Sequence, residues 1–116
     1  MVFDSPYVRI TNNFLHDMAT GTWAACLAVL LVLHPRLAGM STEAAAALGD
    51  AMTLVFWMLV GALVVVTVTG AVRLIYWRAQ TSVEELGAKR RALVVKHIAF
   101  LVIYGGGTLF GWTLLP

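Results

Sequence analysis

Apolar and polar positions alternate in long blocks rather than with the short periods of a soluble domain, and the blocks divide the chain into three membrane-length segments. From Phe14 to His34 the residues are nearly all apolar or small, with Asp17 as the only formal charge near the start. At ~1.5 Å per residue in a helix this run reaches about 30 Å, the thickness of a bilayer's hydrocarbon core. Ala51 to Trp77 contains no charge before Arg73 and predicts a second span. Its Val and Thr content would favour a strand in water, but in lipid a single segment satisfies its backbone polar groups only as a helix. Ala92 to Leu115 predicts a third span. The expected architecture is therefore all-α, a single domain of three transmembrane helices.

The connecting segments read as surface. Met1 to Asn13 is short and mixed and suits a brief interfacial stretch. Pro35 and Arg36 end the first span, and the alanine-rich connection to Asp50 has room for a helical turn or two. Arg78 to Arg91, with Glu84, Glu85, Lys89, Arg90 and Arg91, is the one strongly polar stretch and predicts a short solvated loop. The N-terminal residues lack the basic start, apolar core and small-residue cleavage site of a secretory signal, so the first span is expected to remain.

Composition supports this frame and adds an orientation. Of 116 residues, 60% are hydrophobic and 12% charged, values that place the chain among membrane proteins. The net charge of +2 is small and sits beside the spans, so it speaks to topology and argues against nucleic acid as a partner. Arg9, Arg73, Arg78, Lys89, Arg90, Arg91 and Lys96 flank one side, against Arg36 alone on the other. By the positive-inside rule the N-terminus and second connection are expected in the cytoplasm, and the first connection and C-terminus outside. A bacterial inner membrane is the expected location. Trp77 and Trp112 suit the two interfacial belts. Cys26, the single cysteine, is mid-span and reads as a small apolar residue.

Against this apolar background the ionisable residues stand out. Ionisable groups inside membrane segments are costly and rare, and usually mark a site. Lys96 and His97 lie in the first turns of the third span, and the topology puts His16, near the start of the first, at a similar depth. Paired histidines on neighbouring helices are a common way to hold a b-type haem iron. His16 and His97 are thus the candidate metal ligands. On their helical faces fall Thr20, Trp23 and Leu27, and Leu101, Tyr104 and Thr108, which are apolar or aromatic enough to flank a flat macrocycle. Arg73, Arg78 and Lys96 share that end and could meet haem propionates or a lipid phosphate. Gly70 and Ala71 would let the second span approach closely. Each feature has a plainer counterpart: interfacial histidines bind carbonyls or headgroups, and Lys96 can snorkel to the surface.

Three further features have plainer readings of the same kind. His34 follows His16 by five helical turns and so lies on the same face at the other surface. Only Met52 or Met58 could partner it as a ligand, and an interfacial role is the expectation. Gly105, Gly106 and Gly107, with Gly111 at a GxxxG spacing, predict close helix packing. Asp17 either orients the neighbouring imidazole, relays a proton, or sits in water at the helix start. No nucleophile triad, zinc site, phosphate loop or dinucleotide fingerprint is present, and the soft ligands are too few for metal transport.

The segment FLHDMATGTW, with His16 and Trp23, resembles the opening of the copper-resistance protein D-like membrane proteins and of bacterial HemJ-type protoporphyrinogen oxidases. GAKRRALVVKHIAFLV resembles the segment in which those families place a lysine. The resemblance covers the first and third spans. It implies haem b binding, with His16 and Lys96 at the functional positions. The chain departs from the family pattern in having three spans where four are usual, and in placing His97 directly after Lys96. The expected function is a b-type haem module in electron transfer, with quinone as a candidate partner. The alternatives are a non-catalytic structural or assembly subunit of a larger membrane complex, and a HemJ-like porphyrinogen oxidase. Three short helices offer little interior, so other membrane subunits or a homo-oligomer are expected in each case, with membrane lipid around them.

Overall fold

The computed structural model describes residues 5–80 and 86–116, and among these every regular element is helical. Helix α1 (Pro6–Leu33) is followed by a 3-10 turn (His34–Leu37), and α2 (Thr42–Gln80) returns alongside α1. The third rod is α3 (Leu86–Phe100), a π-helical turn (Leu101–Gly105) and α4 (Gly106–Thr113) in sequence. Three helices are long and apolar enough to cross a membrane: Pro6–Leu37, Thr42–Ile75 and Arg90–Thr113.

Helices α1 and α2 extend well beyond the apolar runs. Helix α1 starts at Pro6 behind an extended Ser5, so residues 6–13 of the expected interfacial stretch are the first turns of the helix. A proline at the first helical position supplies a preset φ and lacks only an N–H that the helix start would leave free. In the first connection Gly39 takes φ 87°, a left-handed turn conformation that suits glycine. Ser41 then caps α2, its Oγ accepting the Ala44 N–H at 3.2 Å. The residues 42–50 expected in the connection are therefore the first turns of α2. The second connection's expected loop is narrower too, since α2 runs to Gln80 and α3 starts at Leu86; the residues between lie outside the described ones.

Buried positions recur at three- and four-residue steps on both hairpin helices: Ala19, Trp23, Cys26 and Leu30 on α1, and Met52, Phe56, Leu59, Ala62, Val66 and Thr69 on α2. This is the spacing that lets antiparallel helices pack at a shallow crossing angle. Threonines survive on apolar helices by bonding back into their own backbone. Thr53 donates to the Gly49 carbonyl at 2.9 Å and Thr67 to that of Leu63 at 2.8 Å.

The third rod meets this hairpin unevenly. At the end carrying the first connection, Gly111 is buried against Leu27, Leu30 and Phe56, and Leu114 joins the core. A Cβ added to Gly107 would fall 2.6 Å from Trp23, so glycine there is what admits the indole. At the other end no residue of the rod from Arg90 to Phe100 is buried, and a cavity separates α3 from the hairpin. The bundle thus has a closed end, at the first connection, and an open end, at the cavity.

Candidate functional site

The open-end cavity has a volume of about 550 Å³, within the range of small-molecule sites. Its apolar walls come from Val66, Ala71 and Leu74 on α2, and from Leu93 and Phe100 on α3. Its polar lining is His16, Thr67, Arg73, Lys96 and His97. Four of the residues singled out in the sequence therefore meet in one place, drawn from three helices. Gly70 also lines it, and an added Cβ there would make only ordinary contact with the His16 ring at 3.8 Å.

Both imidazoles are held by one nitrogen. His16 Nδ1 lies 2.8 Å from Thr69 Oγ1, and that hydroxyl in turn lies 2.7 Å from the Val65 carbonyl oxygen. A carbonyl only accepts, so the threonine hydrogen goes to Val65 and the threonine oxygen accepts from His16 Nδ1–H. His97 Nδ1 lies 2.8 Å from the Leu93 carbonyl, which requires Nδ1–H there as well. In each ring Nδ1 is the nitrogen tied to an oxygen, and a histidine that holds a metal through Nε2 is ordinarily fixed in this way.

The cations are arranged differently from one another. Arg73 donates from Nε to Asn13 Oδ1 at 2.9 Å and stands 3.6 Å from Asp17. Asp17 is therefore engaged with Arg73, and the residue orienting His16 is Thr69. Lys96 lines the cavity from α3. The side chain of Arg78 lies outside the described ones.

Trp23 and Tyr104 do not line the cavity. Their rings meet at a 55° tilt with centroids 4.6 Å apart in the next layer towards the closed end, where Trp23 Nε1–H donates to Thr108 Oγ1 at 3.2 Å. Leu101 is 68% exposed, and Phe100 takes the cavity position expected of it. Residues three and four beyond His97 lie within about 60° of it on either side of the helix, and the position of the hairpin selects between them. His34 joins the closed end by donating Nδ1–H to the Leu114 carbonyl at 2.7 Å. Met52 is fully buried in the core while Met58 is 51% exposed.

Thr69 and Phe100 escaped the sequence reading. Nothing in the sequence separates Thr69 from Thr67, since a threonine in an apolar helix ordinarily bonds its own carbonyls. Among the described residues no group of three or more His, Cys, Asp or Glu is placed to hold a metal ion. A six-coordinate haem needs only two such side chains, because the macrocycle supplies the other four donors. No protein family, curated protein or solved structure matches the chain.

Proposed function

We propose that the open-end cavity holds a b-type haem between His16 and His97, and that the chain is an electron-transfer module of a membrane complex. The observation that carries this is the matched setting of the two imidazoles: both line one largely apolar cavity, and both are tied through Nδ1 to an oxygen. A bound haem would supply one-electron redox chemistry, which the protein tunes and positions. Val66, Leu74, Leu93 and Phe100 give the cavity apolar walls, and a low local dielectric strengthens the electrostatic contacts beside them. Arg73 and Lys96 supply positive charge on the same cavity, suited to a carboxylate-bearing edge. Quinone is the candidate redox partner. The excess of Lys and Arg at the open end orients it towards the cytoplasm of a bacterial inner membrane.

The resemblance to HemJ-type proteins favours a related reading, porphyrinogen oxidation, supported by His16 and Lys96 lining the same cavity. A third reading rests on the third rod. Ile98, Leu101, Val102, Ile103, Leu109 and Phe110 are exposed on it, a surface suited to lipid or to other subunits of a larger assembly.

The purified protein, air-oxidised and then reduced with dithionite, is expected to show a Soret band and a sharp reduced α-band. Preparations that retain the native complex yet lack both bands would remove the haem readings and leave the structural-subunit one. Porphyrinogen turnover by the haem-loaded protein would select the oxidase over the electron carrier.

A further inference from the structure

We infer that Thr69 is a positioning residue for His16: its hydroxyl selects the Nδ1–H tautomer and so presents Nε2 to the cavity. The inference concerns the imidazole itself, and rests on the haem reading only for its redox consequence.

Thr69 is 5% exposed, and both of its ends are fixed. Its hydroxyl hydrogen is directed at the Val65 carbonyl at 2.7 Å, with that of Val66 at 3.2 Å. Its own carbonyl accepts from buried Asn12 Nδ2 at 3.0 Å. The oxygen lone pair facing His16 is therefore held on two helices at once, one turn of α1 separating Asn12 from His16. A threonine hydroxyl that has already donated can only accept, so a ring nitrogen without hydrogen would meet an oxygen lone pair there. The Nε2–H tautomer would bring two lone pairs together at 2.8 Å and lose the bond.

The charged neighbours do not compete for this role. Asp17 and Arg73, the ionisable groups beside His16 on α1 and α2, face each other at 3.6 Å, and Arg73 also holds Asn13. Across the cavity the facing groups are Lys96 and His97 on α3, and neither contributes an acceptor oxygen. His97 differs instructively: its Nδ1–H is bound within its own helix, at Leu93. The His16 ring is thus fixed relative to the hairpin, whereas the His97 ring travels with α3.

The test uses the full chain in lipid nanodiscs, labelled with ¹⁵N in its histidine rings and free of haem. The His16 resonances, assigned by their loss in His16→Gln, are expected to show a protonated Nδ1 and a bare Nε2. In Thr69→Val this preference is lost, and in Thr69→Ser, which keeps the hydroxyl, it is retained. With haem bound, Thr69→Val is also expected to raise the midpoint potential, because an imidazole whose N–H is no longer accepted is a weaker donor. A protonated Nε2 in the wild-type chain would overturn the inference, and so would an unchanged tautomer in folded Thr69→Val. Both outcomes are read without haem, so they are independent of whether the chain binds one.

Discussion

At the closed end, Gly107 and Gly111 bring the third rod against Trp23, Leu27, Leu30 and Phe56, and the contacts are mainly apolar or aromatic, with two hydrogen bonds, Trp23 to Thr108 and His34 to the Leu114 carbonyl. At the open end the same two-helix hairpin is held by polar groups: Asn12 to Thr69, His16 to Thr69, and Asn13 and Asp17 to Arg73. The third rod stands off there and leaves the cavity. Lipid tails are as apolar as leucine, so apolar contact between membrane helices gains little from burial and depends on close fit. Close fit is what the glycines supply, and the closed end carries the fold. Polar groups in a membrane are retained at a cost and must be satisfied. Their concentration around the cavity sets the open end apart from the closed one.

The same substitution at two glycines tests this division. Gly107→Ala drives a methyl into the rigid Trp23 ring at 2.6 Å, and such overpacking costs about 1–3 kcal/mol. Loss of thermal stability in detergent, followed by circular dichroism, should show it as the largest effect among these variants. At the same end His34→Ala removes the bond to the Leu114 carbonyl. An interhelical hydrogen bond in a membrane contributes roughly 0.6–2 kcal/mol, and the loss should leave any haem spectrum untouched. An altered spectrum in that variant would mean that the two ends are not separate.

Gly70→Ala should cost nothing measurable in stability, since its methyl meets only the edge of His16 at 3.8 Å. Its helix-propensity gain is at most ~1 kcal/mol. Any effect should fall on ligand binding, by narrowing the cavity. Gly106→Ala meets nothing within 4 Å and should change neither stability nor binding beyond that same propensity gain. A large stability loss at Gly70 would show that the open end is packed rather than open.

The division was partly legible beforehand. Helix type and number followed from segment length and from the demand that lipid places on backbone polar groups, and the three spans are present in the structure. Their ends did not follow, because Thr11, Asn12 and Asn13 interrupt the apolar pattern without interrupting the helix. Ser5 before Pro6, and Ser41 before Thr42 and Glu43, were the available signals of earlier starts. His16, Arg73, Lys96 and His97 stood out because ionisable side chains are rare in such segments, and they line one cavity. Trp23 and Tyr104 share helical faces with the histidines, but face alone does not give depth along the rod, and both sit a layer below. Thr69 had no sequence signature at all, since its role comes from which helix lies opposite.

The proposal that His16 and His97 would together hold one haem is tested most directly by the spectra of three single variants. In the oxidised and reduced visible spectrum of the haem-loaded protein, His16→Ala and His97→Ala should each abolish the low-spin bands. His34→Ala, at the closed end, should preserve them. Low-spin bands that survive both open-end substitutions, or that vanish only with His34, would contradict the account.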